Sequence, residues 1–445
     1  MHIKSLTIKN LRSISSATLA LNKPGDTGLK YPNVNVILGG NGFGKTSILR
    51  AATLSTLGPL LSTSSGFVAD GLIRRPDGWT QPVRSTKRPR LSDHAQIEAD
   101  VILGPDELTV TSRSRSTAIK LTSEIRAVGS AEILSCEVSP KGMEKKLMAA
   151  QFEESDPAFF VAGYGATRRV EASSRVDESA RLKSRQRKYE RVASLFEDHV
   201  SLVPLSYWLP QYEDANKGRY KQVVNLINRL LPDACRMQAK STKVSATREH
   251  LFEMNGVALP FRALSDGYKA YVGWIGDMLF HVCMGIGKGL MLRDMHGVVL
   301  IDEIDLHLHP EWQKVVVPTL AEALPNVQFI VTTHSPLVVG SLEAGNLFTL
   351  RAENNAVEVT QSADRVHGRS AEQILLSPYF GLQSTRAPET AEQLAQLARA
   401  AASGTKGASA SYLRLLAEGA PKAAATSGKT TGSARSTRAT AKRKG

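Results

Sequence analysis

The chain is poor in cysteine. Cys136, Cys235 and Cys283 are the only three in 445 residues, and they stand far apart. No disulfide framework and no C-x-x-C metal pair can be built from them, so they read as buried thiols in a reducing compartment. Long hydrophobic runs are missing too. The most apolar stretch, residues 270–292, is interrupted by Asp277 and Lys288, which argues against a membrane-spanning helix. The opening MHIKSLTIKNLRSI alternates like a strand and has no signal-peptide core. A soluble, cytoplasmic protein with no membrane partner is therefore expected.

What is present is a globular composition, 42% hydrophobic and 22% charged, which excludes a wholly disordered or collagenous chain. The formal net charge is +14, and it is unevenly spread. Residues 71–90 hold six basic residues against one acid, and residues 168–191 hold nine against four. Residues 421–445 hold seven basic residues and no acid, with no large apolar side chain. That last stretch cannot bury a core and is expected to be disordered. The remainder is slightly acidic, so any polyanion is expected to meet the insertions rather than the body. Interleaved aromatics are few, Trp79 in the first basic stretch and Tyr189 in the second. Phosphate contacts without strong base specificity are the expected mode. A merely solvated helical arm explains the second stretch equally well.

Periodicity places the motifs. Val34–Leu38 reads as a short strand that stops at a glycine cluster, and residues 47–60 read as a helix. Residues 61–95 read as a long loop, and 96–137 as short strands. Phe159–Ala162 reads as another strand, and residues 173–231 as mostly helical. A hairpin is expected to turn at Asn255-Gly256, followed by a helix over about Ser265–Cys283. Val298–Ile301 and Val327–Thr332 are short, wholly apolar runs of the kind buried in parallel sheets, with a helix near Pro310–Ala323 between them.

The residues from Gly39 to Thr46, GGNGFGKT, fit G-x-x-x-x-G-K-[ST]. Glycines let backbone N–H groups close around phosphate oxygens, and the following helix turns its positive end toward them. Lys45 would neutralise the outer phosphates, and Thr46 would ligate Mg²⁺. A functionless glycine turn would lack the strand before it and the helix after it. Four apolar residues end in Asp302-Glu303. Alone this is a common strand end. Beside a phosphate loop it delivers one carboxylate to Mg²⁺ and a second to the attacking water. Leu264-Ser265-Asp266-Gly267-Tyr268 opens a helix, either as a plain N-cap or as an anion site. His334 closes a strand within Thr332-Thr333-His334-Ser335-Pro336. A lone histidine there is usually only a satisfied polar group, but the same sheet edge carries two phosphate-directed elements.

In this order the motifs resemble the ATP-binding-cassette class of P-loop ATPases, and within it the SMC/RecF/overcoming-lysogenisation-defect branch. LSDGY, DEIDLHLHP and the VHGRSAEQIL region are similar to the ATPase subunits of bacterial anti-phage systems of the Septu type. The resemblance implies an α/β fold: an ABC-type P-loop ATPase head with a mixed β N-terminal lobe, a helical insertion and a parallel-sheet core. It implies a first lobe at 1–167, the insertion at 168–245, a second lobe at 246–386, a helical extension at 387–418 and a disordered basic tail at 419–445. The implied cofactors are ATP and Mg²⁺.

Gly39, Asn41, Gly42, Gly44, Lys45, Thr46 and Ser47 would form the cradle, and Thr46 and Asp302 would hold the metal. Glu303 would activate water, and His334 would sense the outer phosphate. Asp305 would signal across a dimer, and Ser265 and Gly267 would cap the nucleotide of a second copy. The glutamine usual after a central strand is missing. Gly163-Tyr164-Gly165 leads to Arg168 instead, and Tyr164 or Arg168 is expected near the nucleotide. A metal cluster involving His307 and His309 is the lesser reading of DLHLHP; loop geometry and dimer contacts are the greater.

The expected partners are a second copy and a separate effector such as an HNH or TOPRIM nuclease, since no acidic D-x-D cluster follows His334. Nucleic acid is expected through Arg168, Arg169, Arg175, Arg181, Lys183, Arg185, Arg187 and Lys188. A DNA-repair or chromosome-associated clamp is one rival, and residues 173–245 are short and heptad-poor for it. A nucleotide-bound scaffold with little turnover is another. A transporter motor would carry LSGGQ and the missing glutamine.

Overall fold

The computed structural model describes residues 1–63, 66–75, 93–104, 117–153, 158–170, 187–244, 247–287, 289–353, 356–361 and 363–418. The chain divides into two compact units, Met1–Leu382 and Gln383–Gly445. The second contains two described helices, Pro388–Ala402 and Ala408–Glu418. Among the described residues, no helix is long and apolar enough to cross a membrane.

The first unit is built on two sheets. One is an antiparallel sheet of β1 (His2–Leu11), β2 (Ile14–Ala20), β4 (His94–Leu103), β5 (Thr117–Val128) and β6 (Ala131–Ser139), in the order β2-β1-β4-β5-β6. Its strands alternate inward and outward residues, as a half-buried sheet requires. Ile3, Leu6, Ile8 and Leu11 of β1 are buried. The other sheet contains β3 (Val34–Gly39), β7 (Val161–Tyr164), β8 (Gly297–Ile301), β9 (Val327–Thr332), β10 (Leu347–Glu353) and β11 (Ala356–Thr360). Its order is β11-β10-β3-β9-β8-β7. All neighbours are parallel except the β10–β11 hairpin.

This second sheet is covered on both faces, which is why its strands are apolar without alternation. Val36, Leu38, Val299, Ile301 and Val331 face one core, with helices α2 (Asp266–Gly285) and α3 (Pro310–Ala323). Ile37, Val298, Leu300 and Ile330 face the other core, with helix α1 (Lys45–Thr56) and the first sheet. Buried amides join the layers. The Gln328 side chain accepts from Ile3 N and donates to Ile3 O, both at 2.8 Å, and so ties β9 to β1. Asn33 donates to three carbonyls at the end of α3 and the start of β9, those of Ala321, Leu324 and Val327.

The apolar runs at Val298–Ile301 and Val327–Thr332, the helix at Pro310 and the turn at Asn255-Gly256 lie where the pattern puts them. The strand read at Phe159–Ala162 lies two residues later, at Val161–Tyr164. Phe159 has φ 57°, which ends any extended run there. The β-runs over 96–137 are longer than their spacing implied, because β4, β5 and β6 pair with one another along their length. Of the loop at 61–95, the described residues 66–75 are pinned at several points. Arg12 N donates to Leu72 O and Arg74 N to Asn10 O. Arg75 pairs with Glu132 at 3.4 Å.

Candidate functional site

Five parallel strands end on one edge of the second sheet, the edge where open α/β sheets bind ligands. Registers align Thr332 with Ile37 and Ile301 with both Val331 and Tyr164. Whatever follows these positions in sequence is therefore brought together. That comprises the loop after Gly39, the Asp302–Glu303 pair, Thr333–His334 and the segment after Tyr164.

The loop after β3 uses the freedom of glycine. Gly42 and Gly44 have φ of 82° and 96°, a region that residues with a Cβ rarely enter. A Cβ on Gly44 would lie 2.8 Å from both Ile14 Cγ1 and Ser13 Oγ. Gly44 leads directly into α1, with no acidic residue in its first turn, so the helix end keeps its positive potential. Asn41 and Gly42 are exposed, while Ser47 is buried. Lys45 folds back across the loop, and its Nζ donates to Gly39 O at 2.9 Å and Gly40 O at 3.2 Å. Burial holds the Lys45 ammonium below its usual pKa, and Asp302, Glu303 and Asp305 act against that shift.

A chain of short hydrogen bonds joins this loop to the next two strands. Thr46 Oγ1 donates to Asp302 Oδ2 at 2.6 Å. Thr332 Oγ1 donates to Asp302 Oδ1 at 2.6 Å and accepts from Glu303 N at 2.7 Å. Glu303 has φ 46°, an uncommon backbone state for a side chain of its kind. It is held on both sides, because its carbonyl accepts from Leu306 N at 2.9 Å and from Arg168 Nη2 at 2.7 Å. Asp305 Oδ1 accepts from Thr333 Oγ1 at 2.5 Å and from His334 N at 3.2 Å. His334 itself is exposed. Thr46 and Asp302 present two hard oxygens at a helix N-terminus, the donor type Mg²⁺ takes, and the glycine cradle accommodates a polyphosphate.

Ser265 and Gly267 sit apart from this chain of bonds. Ser265 precedes α2 in extended conformation, is exposed, and caps nothing in its own helix. A Cβ on Gly267 would lie 3.5 Å from His307 O, so this turn borders the loop after Glu303. Helix α2 is seated on α3 by Tyr271 stacked on Trp312, with centroids 5.0 Å apart. His309 opens α3, its Nδ1 accepting from Glu311 N at 3.5 Å, and His307 is exposed with φ 64°. Among the described residues no group of three or more His, Cys, Asp or Glu side chains could hold a metal.

Two residues assigned to nucleic acid lie elsewhere. Lys188 is 2% exposed, and its Nζ donates to Ala150 O at 2.5 Å and Ala158 O at 3.2 Å. Arg168 points inward to Glu303 O, and burial lowers its pKa to about 10 despite the carboxylates of Asp302, Asp305 and Glu303 nearby. Neither is placed to meet a phosphate backbone. A basic run cannot reveal this, because the carbonyls that take these donors are remote in sequence. Arg175, Arg181, Lys183 and Arg185, with residues 76–92 and 419–445, lie outside the described residues. Arg169 and Arg187 are described in backbone only.

Tyr164 is buried and donates from Oη to Asp277 Oδ2 at 2.8 Å. Burial, with Asp277 adding to it, keeps its phenol protonated well above the usual range. Its sequence signal was its place at the end of a buried strand on the ligand edge of the sheet.

A family model described as an AAA domain matches residues 5–233. A second, described as "AAA domain, putative AbiEii toxin, Type IV TA system", matches residues 156–340. The chain is 34% identical over 163 residues to the Retron Ec83 probable ATPase of Escherichia coli, covering 36% of this chain and 29% of that protein. It is 30% identical over 235 residues to Septu protein PtuA of Bacillus mycoides (strain KBAB4), covering 52% of this chain and 30% of that protein. It thus spans less than a third of either relative's own length. Among solved structures it is similar to the SmcHead bound to the C-winged helix domain of ScpA, with a TM-score of 0.50 and 15% identity, covering 81% of this chain and 97% of that one. At that identity the likeness is one of fold.

Proposed function

Since the chain belongs to the AAA-domain family, we propose that it binds ATP with Mg²⁺ and hydrolyses it at the edge of the parallel sheet. The observation that carries this reading is the bond from Thr46 Oγ1 to Asp302 Oδ2 at 2.6 Å, beside a Glu303 backbone held from both sides. Gly39, Asn41, Gly42, Gly44 and Ser47 surround the phosphates. Lys45 turns from its carbonyl partners to the outer phosphate oxygens. Thr46 and Asp302 hold Mg²⁺, which offsets phosphate charge when bound. Glu303 accepts the proton of the attacking water, and His334, its N–H held by Asp305, contacts the outer phosphate.

Ser265 and Gly267 are read as acting on the nucleotide of a second copy, so that two heads close face to face on two ATP molecules. Turnover of the wild type and of Glu303→Gln tests the chemistry. Loss of a general base lowers the rate by about 10²–10⁴-fold. Equal rates in the two proteins would sink the enzyme reading and favour a nucleotide-bound scaffold.

The likeness to a Septu protein and a retron probable ATPase supports a role in anti-phage defence, with ATP controlling a separate effector such as an HNH or TOPRIM nuclease. Co-purification with the product of a neighbouring nuclease gene supports that role, whereas association with a permease overturns it. The nucleic-acid surface is proposed to be Arg169, Arg175, Arg181, Lys183, Arg185 and Arg187. Polyanion affinity is expected to fall steeply with salt, and neutralising these residues should flatten that slope. Retention that ignores salt refutes the assignment.

A further inference from the structure

The segment after β7 touches two parts of the molecule that the site needs to keep in step. Its Arg168 Nη2 donates to Glu303 O at 2.7 Å. The other contact of the same guanidinium is a ring: Arg168 Cζ lies 5.4 Å from the centroid of Trp274, a 2%-exposed residue in the middle of α2. Among the described residues Arg168 Nη1 is buried with no hydrogen-bond partner, and the carboxylates of Asp302, Asp305 and Glu303 favour its charged form. The guanidinium thus meets both Glu303 O and the Trp274 ring. A second tie joins the same two elements, since Tyr164 Oη donates to Asp277 Oδ2 at 2.8 Å, one turn further along α2. Asp277 also accepts from Val203 N at 2.7 Å.

We propose that Arg168 is a positioning residue that couples the setting of helix α2, and with it the Ser265–Gly267 turn, to the backbone of Glu303. The inference rests on the ATPase reading above. The physical argument has two steps. Glu303 sits at φ 46°, an uncommon state kept by the bonds to its carbonyl and N–H, so loss of one lets the backbone relax and carries the carboxylate with it. The flat guanidinium then serves as a lever. Nη2 holds that carbonyl, and Cζ lies 5.4 Å from the Trp274 ring centroid, about two turns along α2 from its start. A shift of α2 is thus passed through Arg168 to Glu303 of the same chain.

Turnover and affinity for a fluorescent ATP analogue test this in Arg168→Ala, Arg168→Lys, Trp274→Phe and the double variant Arg168→Ala/Trp274→Phe. Glu303 O keeps its bond from Leu306 N in all of them, and a thermal midpoint near that of wild type shows which variants fold. The expected result for Arg168→Ala is a kcat about 10–100-fold lower with analogue affinity within about twofold of wild type. Arg168→Lys should not restore kcat, because a compact ammonium lacks the planar fork that reaches the carbonyl and the ring together. Trp274→Phe should lower kcat about threefold, through a weaker cation–π contact, and add nothing to Arg168→Ala. Loss of analogue affinity with kcat intact would make Arg168 a nucleotide ligand and overturn the proposal, as would additive effects or full rescue by lysine. Turnover abolished by Glu303→Gln but unchanged by Arg168→Ala overturns the coupling alone. A wild type without turnover overturns the ATPase reading and the coupling with it.

Discussion

The loop side and the helix side of the site are held in opposite ways. On the loop side Lys45, Thr46, Asp302, Glu303, Asp305, Thr332 and Thr333 are linked by bonds of 2.5–3.2 Å that cross three strands. On the helix side Ser265 is exposed, and Asp266 pairs with Lys269, three residues on, at 3.3 Å. The first arrangement is what a site looks like when one chain supplies all of its polar partners. The second leaves a hydroxyl and a helix start facing out, the form an anion contact takes when its ligand comes from outside. On the proposed reading the difference marks which half of the chemistry a single chain owns.

The largest expected effect breaks the comparison by mixing. Lys45→Ala should lose nucleotide binding, whereas Ser265→Arg should keep it and lose turnover. If the two sides meet only across a dimer, an equal mixture of the two inactive variants regains about a quarter of wild-type turnover, because mixed dimers contain one intact site. A mixture that stays inactive, while mixed dimers of the two variants are shown to form with ATP, would place the whole site within one chain.

A smaller effect works through the footing of the helix side. Burial holds His281, on α2, neutral down to about 3, and His250 neutral down to about 4. In the unfolded chain both take up protons near 6.5. Their contribution to stability is thus fully present above about pH 6.5 and is lost as pH falls toward 4 for His250 and 3 for His281, at roughly 3 kcal/mol for His250. Urea midpoints at pH 7.5 and 4.5 measure this, and His250→Gln should shrink the difference. An unchanged midpoint would mean that neither histidine is buried in solution.

The smallest effect separates buried from exposed basic residues. Lys188→Met should cost about 1–3 kcal/mol by leaving the Ala150 and Ala158 carbonyls short of a donor. Polyanion affinity should not change. The opposite pattern, weaker polyanion binding at unaltered stability, would return Lys188 to the surface.

Much of the loop side is legible from the chain alone. The glycines at 39, 42 and 44, the strand ending at Asp302 and the strand ending before His334 each declare their chemistry within a few residues. Parallel pairing then brings their ends together. Arg168 and Lys188 were not legible in this way. Both sit in a run that looks uniformly cationic, yet Arg168 is held by Glu303, 135 residues away, and Lys188 by Ala150, 38 residues away. Burial of a charge depends on what comes to meet it, and nothing local announces that.

The sequence by itself determined the glycine loop after β3, the paired carboxylates and the apolar strands that deliver them, because glycine freedom and hydrophobic pattern act over short spans. Only the tertiary structure decided that Glu303 takes a left-handed backbone and that Arg168 ties it to Trp274. The same holds for Asp305, bonded to Thr333 and His334 of its own chain. Each depends on strand ends brought into register by a sheet, and register is a property of neighbouring strands that no single segment contains.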